Sequence, residues 1–253
     1  MKNNVVVFDL DGTLLDCDNH IIGGTETLAL LQKLQANDYH LAICTGRLDH
    51  DIVAINKLYD LNINERISQN GAVFYQGNHL EATLLDKHSA LALNTLLKNY
   101  PNVRVEMNTI SNRYWHSDRD PDFPKEFYDS SIITKQDYAE IIPFQPVVLF
   151  LIVGNTEDLK AIQKEIISRY EHVDAIMTSA TSLEVVPQGI SKGKALERMY
   201  PDACVYAIGD SESDTSMARY ANRFYYAGAD FEDCIKVNTI TEALEDIVKK
   251  AGI

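Results

Sequence analysis

Val5-Val6-Val7-Phe8-Asp9-Leu10-Asp11-Gly12-Thr13-Leu14-Leu15 decides the fold. A run of β-branched and aromatic residues stops at two carboxylates, followed by Gly and Thr. The apolar run reads as a strand buried on both faces, the kind found in parallel sheets. Residues i and i+2 of a strand share a face, so Asp9 and Asp11 crowd two anions at one strand end. Such crowding is costly without a positive partner, and a divalent cation with oxygen ligands supplies one. Gly12 allows a sharp exit from the strand. A strand with a merely acidic turn is the plainer alternative.

Strand and helix signals alternate from here. Leu28, Leu31 and Leu34 mark a helix over residues 25–37, with Thr25 as its N-cap. Residues 41–44 read as a buried strand, 48–59 as a helix, and 67–75 and 79–85 as strands. This is the rhythm of a parallel sheet with helices on its faces. Residues 90–170 differ. A helix over 90–100, strands over 103–107 and 112–116, a polar loop over 117–124, a strand over 146–153 and a helix over 157–170 precede a hairpin over 173–186. Pro187-Gln188-Gly189 reads as a hinge. The first rhythm then returns: helix 191–199, strand 204–208, a helix from Asp214, a strand near 224–227 and a terminal helix 239–250. The fold class expected is α/β, with a three-layer, parallel-sheet, Rossmann-like core and an inserted α+β domain. Residues 1–82 and 188–253 form the discontinuous core, and residues 83–187 the insert.

The chain has 253 residues and a formal net charge of −14. That balance argues against nucleic acid and anionic membranes as partners. No apolar run approaches a membrane span, and the start of the chain does not read as a secretory signal. Cys17, Cys44, Cys204 and Cys234 lack metal or redox spacing, which suggests reduced thiols in the cytoplasm. Oligomeric state is open between a monomer and a small homo-oligomer.

Four stretches in order resemble the motifs of the haloacid dehalogenase superfamily. Asp9-Leu10-Asp11-Gly12-Thr13 is similar to its first motif. Leu41-Ala42-Ile43-Cys44-Thr45-Gly46-Arg47 is similar to the second, a strand ending in Thr. Lys192, opening a helix in Gly189-Ile190-Ser191-Lys192-Gly193, is similar to the third. Ile208-Gly209-Asp210-Ser211-Glu212-Ser213-Asp214 is similar to the fourth. Asn70-Gly71-Ala72 matches a short signature of the Cof-type branch, mostly small-molecule phosphatases. Two features depart from that branch: Ser213 stands where Asn is usual, and residues 16–19 are unusually acidic.

The resemblance implies a Mg2+-dependent phosphatase acting on a small phosphorylated metabolite, such as a sugar phosphate or a phosphorylated cofactor. Asp9 is then the nucleophile, and an aspartate is already ionised at neutral pH. Asp11 is the acid and base, with its backbone carbonyl on the metal. Thr45, Gly46, Arg47, Asn70, Lys192 and Ser213 contact the substrate. Asp9, Asp11, Asp210 and Asp214 form the metal site, Asp214 by orienting the others. Lys194 competes with Lys192 for the cationic role, Thr45 could instead cap the following helix, and Arg47 could lie on the surface. The insert corresponds to the cap that closes over the pocket and chooses substrates in that branch. Within it Arg113, Trp115, His116 and Arg119 read as solvated surface ahead of substrate contacts. A hexose phosphomutase, a phospho-acceptor module and a non-catalytic phospho-ligand binder remain alternatives.

Overall fold

The computed structural model describes residues 3–117 and 132–253, with Ile132 described in its backbone alone. Arg119 and most of the loop expected over 117–124 lie outside the described residues. The chain divides into two compact units, Met1–Glu81 with Ser191–Ile253, and Ala82–Ile190.

The first unit holds β1 (Asn4–Phe8), α1 (Gly24–Gln35), β2 (Tyr39–Cys44), α2 (Asp49–Leu58), β3 (Glu65–Ser68), β4 (Val73–Gln76) and β5 (His79–Ala82, whose last residue the division assigns to the other unit). Within the second unit lie α3 (Lys87–Leu97), β6 (Arg104–Thr109), β7 (Arg113–Trp115), β8 (Ile132–Thr134), β9 (Val147–Val153), α4 (Thr156–Arg169), β10 (Val173–Ser179) and β11 (Ser182–Pro187). The chain then returns to the first unit with α5 (Lys192–Met199), β12 (Cys204–Gly209), β13 (Arg223–Tyr226), β14 (Ile235–Lys236) and α6 (Ile240–Ala251).

The first unit is built on an eight-stranded sheet in the order β14-β13-β12-β1-β2-β3-β4-β5. β1 lies between β12 and β2 and is parallel to both. Its residues serve two cores. Val6 and Phe8 join a cluster with Leu31 and Leu34 of α1, Ile52 of α2 and Leu244 of α6. Val5 and Val7 join another with Ala195 and Leu196 of α5. This explains the unbroken apolar run: both sheet faces are covered by helices, so no strand position is free to be polar. Each such side chain, taken fully from water, contributes about 1.5–3 kcal/mol.

Several elements differ from expectation. α1 begins after Gly23, held at φ 77, and Thr25 makes no cap. The strand expected over 67–75 is two strands. A 3-10 turn at Gln69–Gly71 reverses the chain, so β4 runs antiparallel to β3 and the sheet is parallel only up to that edge. Gln69, Asn70 and Gly71 all have positive φ, 51°, 56° and 98°, a conformation that the Asn-Gly pair favours and that a single strand over 67–75 does not allow. The helix expected from Asp214 is a 3-10 segment, Glu212–Met217. β8 and β14, three and two residues long, carry too short a pattern to be read in advance.

The second unit holds a six-stranded sheet, β10-β11-β9-β6-β7-β8, mostly antiparallel, with β7 and β8 parallel. Val105 and Met107 of β6 face an apolar cluster containing Leu93 of α3 and Ile162 of α4. Glu106 alternates with them, and its carboxylate accepts from Arg113 Nε at 3.0 Å. Arg113 and Trp115 are buried and His116 is half-buried, so these residues are not solvated surface. Burial also holds the His116 imidazole below its ordinary range, Arg104 adding to the effect.

Candidate active site

The loops after β1 and β12 leave adjacent parallel strands. The chain goes from β1 to β2 on one side, and β12 adds on the other. In open α/β sheets the crevice at such a switch, beyond the carboxyl ends of the strands, is where ligands bind. Asp9 follows β1, Thr45 follows β2, and Asp210 follows β12.

Asp9 is buried, with its amide donating to the Ile208 carbonyl at 3.1 Å. Its Oδ1 lies 3.0 Å from Lys192 Nζ. That is ion-pair distance without hydrogen-bond alignment, so the oxygen has no aligned donor. Lys192 opens α5 after the N-cap Ser191 and is 2 % exposed. A buried ammonium at a helix N-terminus is doubly disfavoured, by desolvation and by the helix dipole. Two carboxylates offset this: burial lowers the Lys192 pKa, but Asp9 and Asp214 outweigh it and hold the ammonium charged. Lys194 instead sits on the exposed side, paired with Glu197 at 2.7 Å.

Asp214 is fully engaged. Its Oδ1 accepts from Lys192 Nζ at 2.6 Å. Its Oδ2 accepts from the amides of Asp210 at 3.2 Å and Ser211 at 2.9 Å, and from the Ser211 hydroxyl at 2.7 Å. This resembles a capping box that fixes the 3-10 segment and aims the ammonium at once. The Ser213 hydroxyl is exposed and shares a hydrogen bond with Ser211.

Asp210 Oδ1 accepts from the Thr13 hydroxyl at 2.7 Å. Burial raises the Asp210 pKa, Thr13 opposing it. Thr13, in the first motif, thus joins the site residues through a contact that strand periodicity does not announce. Gly12 has φ +81, and a Cβ there would meet Asp210 Oδ2 at 2.2 Å. Glycine is required at this turn by both conformation and space.

Asp9, Asp210 and Asp214 offer oxygens within 4.8 Å of one another. Three carboxylates against one ammonium leave surplus negative charge in a nearly dry place. Burial pushes Asp9 up to about 7, Lys192 pulling against that and Asp214 adding to it. Burial thus works against the ionised form expected of this nucleophile, and a further cation would favour it. The hard oxygen donors, the charge surplus and the oxygen without an aligned donor suit a small divalent cation such as Mg2+. Asp9 and Asp210 have the capacity for it, whereas both oxygens of Asp214 are occupied.

Asp11 does not crowd Asp9. Its carboxylate takes both prongs of the Arg47 guanidinium, Nε to Oδ2 at 2.9 Å and Nη2 to Oδ1 at 2.5 Å. Arg47 is 7 % exposed and so is not a surface residue. Thr45 is buried, and its Oγ1 accepts from the Arg47 amide at 3.3 Å. The residue preceding α2 is Leu48, so Thr45 does not cap that helix. Asn70 donates its amide to the Thr45 carbonyl at 3.0 Å. Its Oδ1 would stand 3.2 Å from a Cβ at Gly46. The reversal at Asn70 thus brings it onto the loop after β2. The acidity of residues 16–19 has a local cause: Asp16 Oδ1 accepts from the amides of Asp18 at 2.9 Å and His20 at 2.8 Å, closing an exposed turn.

A separate hollow of about 570 Å³ lies at the amino ends of the strands, lined by Asn3, His40, Glu65, Tyr200 and Asp202 among others, far from this chemistry. No helix among the described residues is long and apolar enough to cross a membrane.

Comparison with known proteins agrees with this architecture. Among solved structures, a haloacid dehalogenase-like hydrolase from Bacteroides thetaiotaomicron matches with a TM-score of 0.84 and 22 % identity, over 97 % of this chain and all of that one, 100 %. A sugar phosphatase of haloacid dehalogenase subclass IIB matches with a TM-score of 0.77 and 19 % identity, over 98 % and 99 %. A structure described as showing a trigonal-bipyramidal intermediate in a phosphoryl-transfer superfamily matches with a TM-score of 0.76 and 19 % identity, over 100 % and 99 %. The profile of the haloacid dehalogenase-like hydrolases matches residues 6–229, and with the four motifs lying where the fold needs them, the chain belongs to that family.

Proposed function

We infer that this hydrolase is a Mg2+-dependent phosphatase of small phosphorylated metabolites, working through an aspartyl-phosphate on Asp9. One observation carries the reading. The Asp9 carboxyl is buried at a strand end, 3.0 Å from the Lys192 ammonium, in a group with Asp210 and Asp214 that suits a cation.

Phosphate-monoester hydrolysis is among the slowest uncatalysed reactions, with accelerations up to about 10²¹-fold, so nucleophile, charge stabilisation and proton transfer must act together. An Asp9 oxygen attacks phosphorus, and the ester P–O bond breaks. The leaving alkoxide takes a proton from Asp11. Water then attacks the same phosphorus and gives its proton to Asp11, and the bond to Asp9 breaks to release phosphate. Lys192 neutralises Asp9 and the transferring group. The Thr45 hydroxyl and the Gly46 amide donate to phosphoryl oxygens. Asp9, Asp210 and the Asp11 carbonyl would hold Mg2+, which supplies Lewis-acid screening of the anionic ester when bound. Asp214 orients Lys192.

In this reading the unit of residues 1–81 and 191–253 is the catalytic core, and residues 82–190 are the cap domain. A sugar phosphate is favoured as substrate, supported by the structural likeness to a sugar phosphatase. The four free cysteines support a cytoplasmic setting.

Phosphate release from p-nitrophenyl phosphate, followed by a panel of sugar phosphates, tests this. Activity is expected to need Mg2+, to stop with chelator, and to vanish in Asp9→Asn. Full activity in Asp9→Asn refutes the reading. Isomerised sugar in place of free phosphate identifies a mutase.

A further inference from the structure

The geometry points to Arg47 as a positioning residue for Asp11: it sets the pose of the carboxyl group that exchanges the proton, instead of gripping the substrate phosphoryl group. This rests on the phosphatase reading above.

Asp11 has a side chain 44 % exposed, beyond the end of β1. An exposed carboxylate on a turn has several rotamers open to it. The guanidinium removes that freedom. Its Nε and Nη2 meet the two Asp11 oxygens separately, at 2.9 and 2.5 Å, so both the position and the plane of the carboxyl are set. Planar, bidentate recognition is what arginine supplies and lysine does not. The guanidinium is itself held. Nη2 also donates to Asn19 Oδ1 at 2.7 Å. Asn19 sits at φ 63 in the loop after β1, and its carbonyl accepts from the Tyr59 hydroxyl at 2.6 Å. A line of contacts, Tyr59–Asn19–Arg47–Asp11, thus runs from the end of α2 to the proposed acid and base. Two guanidinium nitrogens are committed to protein oxygens in a side chain that is 7 % exposed. That is the arrangement of a brace, and a poor one for a grip on a mobile anion.

The fork matches Asp11 as a carboxylate, the form that accepts the proton when water attacks the aspartyl-phosphate. In that step the new water-oxygen bond to phosphorus forms, the Asp9 oxygen bond to phosphorus breaks, and the water proton passes to Asp11. A mispositioned carboxyl slows this step, so the phosphorylated enzyme accumulates.

The test uses the full-length protein with Mg2+ and p-nitrophenyl phosphate, whose good leaving group makes the first step undemanding. Arg47→Gln is expected to lower kcat by about 10–100-fold, the scale on which small misplacements act. KM and inhibition by inorganic phosphate are expected to change by less than about twofold, since no binding contact is lost. Acid quench followed by intact-mass measurement is expected to show more phosphorylated protein in Arg47→Gln than in wild type. In an Asp11→Asn background, Arg47→Gln is expected to add nothing, because its effect passes through Asp11. Arg47→Lys is expected not to rescue. Should Arg47→Gln fail to fold, Tyr59→Phe, which removes only the far end of the line, is expected to show a smaller kcat loss with the same phosphoenzyme signature. A rise in KM or loss of phosphate inhibition at unchanged kcat overturns the proposal, as do multiplying losses in the double variant or wild-type behaviour in both Arg47→Gln and Tyr59→Phe. Wild-type protein that releases no phosphate, or an active Asp9→Asn, overturns the phosphatase reading and this inference with it. An active wild type and a dead Asp9→Asn beside an unaffected Arg47→Gln overturn the role of Arg47 alone.

Discussion

Two charged clusters stand at the carboxyl ends of the same sheet, and they handle charge in opposite ways. Around Lys192, two buried carboxylates, Asp9 and Asp214, meet one ammonium, with the half-buried Asp210 beside them: Lys192 and Asp214 are 2 % and 0 % exposed. Around Arg47, one carboxylate meets one guanidinium through two contacts, with Asp11 open to water. The first cluster is in electrostatic deficit and calls for a cation from outside. The second is already satisfied by the protein. A deficit that folding leaves in place is a mark of a site kept for chemistry, since a purely structural cluster gains nothing from it.

Removing the cation from each cluster sharpens this contrast most. Lys192→Met leaves Asp9 and Asp214 buried without their partner, and stability is expected to fall by about 3–5 kcal/mol in urea titrations. Phosphatase activity is expected to disappear with it. Arg47→Gln is expected to change stability less, because the carboxylate it leaves unpaired, that of Asp11, is partly hydrated instead of buried. Similar stability losses in the two variants would remove the distinction.

Asp210→Asn takes one anion out of the deficit. The Mg2+ concentration for half-maximal activity is expected to rise by roughly 100-fold, at the upper end of what altered ligand shells do. A smaller change of about tenfold is expected for Thr13→Val, which removes only the hydroxyl that orients Asp210. Metal titration of both variants checks the order, and a larger effect from Thr13→Val would reverse the assignment.

The deficit also has a pH signature. Asp9 is raised from 3.8 to about 7. Between those values the folded chain holds a proton that the unfolded chain has released. The unfolded state thus binds fewer protons, and this group's contribution to stability falls as pH rises through that window. Mg2+ is expected to raise the melting temperature more at pH 7.5 than at pH 5, because at pH 5, inside the window, it must displace the proton first. Equal shifts at both pH values would show that Asp9 is not the ionisable group at the metal.

The sequence makes the first cluster legible and the second only by halves. Asp9, Lys192 and Asp210 each stand at the end of a readable strand or the start of a readable helix, so their convergence follows from topology once the sheet is assembled. Strand β1 is legible because both its faces are covered, leaving a run with no polar interruption. The pairing of Asp11 with Arg47 is not legible, because nothing in residue spacing says which rotamer a side chain takes beyond a strand end. Asn19 and Tyr59 join only through a left-handed backbone and a carbonyl contact, which carry no residue-type signature. The reversal at Asn70, by contrast, carries a sequence signal: the polar run Ser68-Gln69-Asn70-Gly71 contains an Asn-Gly turn pair, and three successive positive φ values, at Gln69, Asn70 and Gly71, break the strand there.

The hydrogen bonds of Asp214 have one more consequence. A single carboxyl group closes the short turn after β12 and anchors the ammonium opposite the nucleophile. Architecture and reactivity therefore share one point of failure. A lesion at this residue would unravel the segment and misdirect the lysine together, so no substitution there can separate a misfolded protein from an inert one.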